Sequence, residues 1–217
     1  MFIPLSNVGR RLAVRKSPHA SRYEGQGVGA YHSFAAPMGN METSMKKTLF
    51  GLLFILAFPT YALADEIVVK VTLVNEKGIG KEIGTVMASD SKYGLILKPQ
   101  LGELLPGVHG FHIHDKPTCA HAMKDNKTVP ALAAGGHYDP ANTGKHEGPY
   151  GSGHLGDLPA LYVAADGKAT TQVLAPRLKV ADLKGRSLMI HAGGDNYADA
   201  PDPLGGGGAR MACGVAK

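Results

Sequence analysis

Residues 67–88 read Ile-Val-Val-Lys-Val-Thr-Leu-Val-Asn-Glu-Lys-Gly-Ile-Gly-Lys-Glu-Ile-Gly-Thr-Val-Met-Ala. Ile67, Val69, Val71 and Leu73 fall two apart, the period of a strand that presents one face to a core. Asn75-Glu76-Lys77-Gly78 then has the chemistry of a hairpin turn, with glycine where a positive φ is needed, and Ile83–Ala88 resumes a β-branched run. Working outward, similar short runs occur at Tyr93–Lys98, His109–His114, Ala160–Ala164, Thr170–Ala175, Ser187–His191 and Met211–Val215. Ala165-Asp166-Gly167-Lys168 supplies a second hairpin turn, and no stretch beyond residue 65 sustains a 3.6-residue apolar period. Eight short strands separated by Gly, Asp, Asn and Pro predict an all-β antiparallel sandwich or barrel.

The N-terminal quarter reads differently. Residues 45–64 begin with a basic start at Lys46 and Lys47, continue through an apolar run from Leu49 to Ala57, and end in Ala62-Leu63-Ala64. That is the layout of an export signal cleaved after Ala64. The run is far shorter than the ~20 residues that span a bilayer, so a membrane anchor is disfavoured and the exported chain is expected to be free of the membrane. Asp65 follows the cut, where lipid attachment would need a cysteine. Residues 1–44 precede the signal and show no clear period. They read either as an overlong start, with Met45 or Met41 as the true beginning, or as an extended leader. The remaining 65–217 has the size of one domain. The net charge of +5 lies wholly in residues 1–64, with seven Lys/Arg against two Asp/Glu, whereas 65–217 holds sixteen of each. A basic character suited to nucleic acid is therefore absent from the exported part.

Cys119 and Cys213 are the only cysteines, and with an export signal the even count favours a disulfide. Closing a loop of about 95 residues is worth roughly 4–5 kcal/mol in the chain-entropy account. Asp115 to Pro159 and Ala192 to Ala209 are long stretches without strand or helix pattern, a length that calls for something to hold them. The first carries Cys119, three spaced histidines and Asp157; a disulfide and a metal would order it.

In Gly110-Phe111-His112-Ile113-His114, strand parity sends His112 and His114 to one face. Two imidazoles on one rigid face make a ready site for copper or zinc. His109 goes to the opposite face with Phe111 and Ile113, where a buried histidine bonded to backbone is expected. The loop adds His137, His146, His154 and Asp157, and three nitrogens with one carboxylate satisfy a closed tetrahedral Zn²⁺. His191 ends another strand, on the face of Met189, and joins His112 and His114 as a candidate copper set.

The strings His109-Gly110-Phe111-His112-Ile113-His114, Gly135-Gly136-His137, Gly153-His154-Leu155-Gly156-Asp157-Leu158 and Gly208-Ala209-Arg210-Met211-Ala212-Cys213-Gly214-Val215 closely resemble the copper–zinc superoxide dismutases of the bacterial periplasm. The resemblance covers essentially all of 65–217, with the motifs in family order and spacing. It implies a flattened eight-stranded Greek-key β-barrel with two long functional loops. It implies copper on His112, His114, His137 and His191, zinc on His137, His146, His154 and Asp157, and His137 shared between them. Asp195 matches a carboxylate linking a copper histidine to a zinc histidine, and Arg210 an anion-binding arginine. The implied reaction is superoxide disproportionation by Cu(II)/Cu(I) cycling in the periplasm. Lys124 and Lys127 are candidates for steering the anion, and His121 matches no ligand position. Monomer and homodimer both stay open. The rival reading is a copper-delivery protein on the same fold; such relatives lose copper ligands or the arginine, all of which this chain keeps.

Overall fold

The computed structural model describes residues 65–217; the expected leader and signal, 1–44 and 45–64, lie outside the described residues. The strands in chain order are β1 (Glu66–Asn75), β2 (Gly78–Ser91), β3 (Gly94–Leu101), β4 (Gly107–His109), β5 (Phe111–His114), β6 (Ala122–Lys124), β7 (Lys127–Val129), β8 (Leu161–Val163), β9 (Val173–Ala175), β10 (Arg186–His191) and β11 (Arg210–Ala216). One short helix, α1 (Val180–Leu183), precedes β10. The all-β antiparallel class expected from the alternation is what forms. A seven-stranded sheet runs β5-β10-β11-β1-β2-β3-β9, with two-stranded ribbons β4-β8 and β6-β7 beside it.

Each of the eight expected runs is found in a strand, and one of them is divided. His109–His114 breaks at Gly110, so β4 pairs with β8 while β5 pairs with β10. Gly110 turns its amide to the Gly193 carbonyl at 2.8 Å, and a Cβ there would lie 3.1 Å from the His112 ring and 3.2 Å from the Gly194 carbonyl. The expected β1–β2 turn is confirmed by Gly78 at φ 120°, where any other residue would be strained. The ribbon β6-β7 was not expected; its turn is Asp125-Asn126, both at positive φ, a conformation these two residue types tolerate.

The sheet uses its two faces differently. Phe111 and Ile113 of β5, Leu188 and Ile190 of β10 and Ala212 of β11 enter the main core with Val69, Leu95 and Leu97, and β8 adds Leu161 and Val163. On the opposite face, Met189 and Cys213 join Cys119, Val74, Ala131 and Ala134 in a smaller cluster. The Cys119–Cys213 disulfide, with 5.7 Å between Cα atoms, ties the long loop to β11 over this cluster. His112 and His114 leave β5 on that same side, so the disulfide-bearing loop is anchored beside them.

Candidate metal centre

The loop from Asp115 to Pro159 is ordered by borrowing β5 as a template. Tyr138 donates to the Ile113 carbonyl at 2.8 Å, Ile113 to the Gly156 carbonyl at 2.8 Å, and Gly156 to the Tyr138 carbonyl at 2.8 Å. These contacts set His114 opposite His137 and His112 opposite Asp157 as bridge partners. Gly156 permits the approach, since a Cβ there would collide with the Ile113 carbonyl. The second loop is drawn in by Gly110 donating to Gly193 and Gly193 to Gly207, each at 2.8 Å, which carries Asp195 over the histidines.

The ligand-type atoms fall into two groups, each within 4.8 Å: His112, His114, His137 and His191, and His112, His137, His146 and Asp157. His137 belongs to both. His154 stands at the margin of the second group, its Nδ1 3.5 Å from Asp157 and its ring centroid 5.4 Å from that of His137. His112 stacks on His137 at 3.9 Å, which brings it into that second group.

Hydrogen bonds occupy one ring nitrogen each of His112, His114 and His191. His114 Nδ1 donates to the Gly135 carbonyl at 2.9 Å and His191 Nδ1 to the Gly208 carbonyl at 3.1 Å; their Nε2 atoms meet at 3.4 Å. His112 Nε2 donates to Asp195 Oδ2 at 2.8 Å and His146 Nε2 to Asp195 Oδ1 at 2.7 Å. The Nδ1 atoms of His112 and His154 are buried without a hydrogen-bond partner, and His146 Nδ1 lies 3.0 Å from Asp157 Oδ2. Buried polar atoms are rarely left unsatisfied, and two unpartnered nitrogens beside buried carboxylates fit cations. Asp195 is thus the expected link between the two halves, with its side chain fully buried.

Protonation follows the surroundings. Burial, reinforced for His191 by neighbouring His112, drives His191 down to about 3, and burial takes His137 down to about 4. His114 is pushed well below its usual value by burial and by His137, and burial also lowers His112. These four are neutral at physiological pH, the form that binds metal. His146 differs: burial opposes its charge, but hydrogen bonds to Asp157 and Asp195 outweigh it and raise the ring to about 9. Burial would raise Asp157 and Asp195, yet hydrogen bonds from His137 and His146, and from His112 and His146, hold both carboxylates well below the usual range.

Arg210 pairs across the strands with His191 and donates to the carbonyls of Ala131 and Gly135, the latter at 2.6 Å. The Gly135 carbonyl therefore serves both Arg210 and His114. His109 is buried with Nδ1 2.8 Å from the His191 carbonyl and Nε2 2.7 Å from that of Leu105, the backbone-bonded role parity assigned it. His121 belongs to neither group, and Lys124 and Lys127 sit exposed at the β6-β7 turn. Two contributors escaped the sequence reading. Gly205, at φ 72°, leaves room for Asp195 and His146, because a Cβ there would collide with Asp195 Oδ1 and lie 2.7 Å from His146 Nε2. Its signal was the run Gly205–Gly208. Arg177, which supports the loop around His154, had no local signal at all.

The model of the family described as copper/zinc superoxide dismutase matches residues 83–216. The chain belongs to that family. A copper–zinc superoxide dismutase of Brucella melitensis is 55% identical over 174 residues, covering 79% of this chain and 99% of the relative. One from Escherichia coli K12 is 58% identical over 150 residues, 69% and 87% of the two chains. Among solved structures, the copper/zinc superoxide dismutase of Brucella abortus aligns with TM-score 0.70 at 56% identity, over 70% of this chain and all of that one. The monomeric copper, zinc enzyme of Salmonella enterica gives 0.65 at 56% identity, with the same coverage.

Proposed function

We propose that His112, His114, His137 and His191 hold copper, that His137, His146, His154 and Asp157 hold zinc, and that His137 serves both. The protein is a superoxide dismutase, an oxidoreductase using copper and zinc. The observation that carries the residue assignment is the pair of four-residue groups, which share His112 and His137, with His154 Nδ1 3.5 Å from Asp157 beside the second and His112 Nε2 given to Asp195. When bound, copper supplies the one-electron steps that turn two superoxide anions and two protons into dioxygen and hydrogen peroxide, while zinc supplies fixed charge and order.

The residues do the rest. Asp157 Oδ1 lies 3.0 Å from His137 Nδ1, so two of the residues that would hold zinc are already adjacent, and Nε2 of His137 is the nitrogen left for the copper side and for taking up and returning a proton. Asp195 holds His112 and His146 through their Nε2 atoms, which keeps Nδ1 of each as the nitrogen that would meet a metal. Arg210 is partly buried and its guanidinium is held by two carbonyls, a preoriented positive charge where a small anion docks. Lys124 and Lys127 add positive charge at the exposed ribbon turn. Metal analysis together with a superoxide assay on protein loaded with both metals tests the reading: one copper and one zinc with high activity are expected, and copper binding without activity would overturn it.

The protein acts in the periplasm on this account, as residues 65–217 freed of a signal cleaved after Ala64. Among the described residues no helix is long and apolar enough to cross a membrane. N-terminal sequencing of the periplasmic protein should begin at Asp65; a different start refutes the cleavage site. Its assembly state is a monomer or a homodimer, and sedimentation of the metal-loaded protein separates the two.

A further inference from the structure

Gly148, Pro149, Gly153 and His154 are all buried in a loop that has no ladder of its own. Their carbonyl groups need partners, since a buried carbonyl without one costs free energy comparable to a lost hydrogen bond. One side chain supplies all four. Arg177 Nε donates to Pro149 at 3.1 Å, Nη1 to Gly153 at 3.1 Å, and Nη2 to Gly148 at 3.1 Å and to His154. All four of these hydrogen bonds end on main-chain oxygens. The arginine is itself rigidly based: Ala175, Leu178 and Val180 around it are buried in the main core.

We infer that Arg177 is a positioning residue for the zinc half of the centre, resting on the reading of His154 as a zinc ligand. His154 is the least constrained of that set. Its Nδ1 lacks a hydrogen-bond partner, and its backbone is fixed by its amide on Lys145 at 2.8 Å and by its carbonyl on Arg177. Removing the guanidinium leaves the His154 carbonyl only the long 3.5 Å bond from the Asp157 amide, and takes the same support from the glycine-rich segment leading to it. The planar five-donor fork is what spans four carbonyls; a lysine ammonium is a point donor on a flexible stem and does not reproduce it.

The test uses Arg177→Ala and Arg177→Lys in the full chain, with His154→Ala as reference. Zinc affinity is read by chelator competition, and Co(II) placed in the zinc half reports ligand geometry through its visible bands. Residues that orient ligands typically contribute 10- to 100-fold in metal affinity. Arg177→Ala is expected to lose about that much, with weakened tetrahedral cobalt bands, unchanged copper stoichiometry and only partial recovery in Arg177→Lys. Should the alanine variant not fold, Arg177→Lys decides alone: unaltered zinc affinity and cobalt spectrum overturn the inference. If His154→Ala loses zinc while the Arg177 variants keep it, Arg177 has no positioning role. If His154→Ala also keeps full zinc affinity, the ligand reading itself fails, and the inference with it.

Discussion

Replacing Asp195 by asparagine preserves shape and removes one charge, so its effect isolates the link between the two halves. The carboxylate is fully buried and accepts from His112 Nε2 at 2.8 Å, His146 Nε2 at 2.7 Å and the Tyr197 amide at 2.8 Å. An asparagine has one acceptor oxygen, and its amide nitrogen can only donate. At least one imidazole N–H then faces another donor in a buried place, at a cost of about 1–3 kcal/mol. His112 can escape by moving its proton to Nδ1, but that is its nitrogen left free for metal, and His146 Nδ1 already faces Asp157 at 3.0 Å. At about 1.4 kcal/mol per tenfold, the expected loss is roughly one to two decades in affinity for at least one metal. Zinc and copper affinities of Asp195→Asn should be measured by competition with chelators of known strength, alongside activity in excess metal. A variant binding both metals as tightly as the unaltered chain would refute the linking role.

Arg210→Ala should slow superoxide removal by tenfold or more, because fixed positive charge focuses small anions toward a cleft. Stopped-flow decay at low ionic strength measures it, and an unchanged rate argues that Arg210 does not serve the anion. Replacing Cys119 and Cys213 by serine opens a closure of 94 residues and is expected to cost about 2–5 kcal/mol, read as a lowered melting temperature of metal-free protein. The metal-free protein should also be most stable at about pH 7, where opposing proton counts balance. Below that, unfolded histidines take protons that His137 and His191 refuse down to about 4 and about 3, so stability falls with pH. Above it, the unfolded state loses the proton that His146 keeps to about 9, so its contribution fades as pH rises. Denaturant unfolding from pH 4 to 9 checks this, and a flat profile contradicts it.

The strands were legible because a half-buried sheet imposes a two-residue period that Ile67, Val69 and Val71 obey. The same parity separated His112 and His114 from His109. What stayed hidden depends on long-range contact. The break at Gly110 goes with its amide bond to the Gly193 carbonyl, some eighty residues away along the chain. Arg177 carries no motif because its partners are backbone carbonyls, whose positions no side-chain pattern encodes. The ribbon β6-β7 is only three residues per strand and has no apolar alternation, so only Asp125-Asn126 could have marked it. His154 shows the converse: its place in the zinc set came from family motif, while the structure puts it at the edge of the group formed by His112, His137, His146 and Asp157.

The account turns on a single residue serving both halves. His112 and His137 lie in both groups; His112 gives Nε2 to Asp195, whereas His137 is bonded to Asp157 on one side and stacked against His112 on the other. Copper content, zinc content and superoxide activity of His137→Ala, loaded with both metals, test this most directly. The account predicts that activity collapses and that both metals bind more weakly; full activity with both metals bound would contradict it.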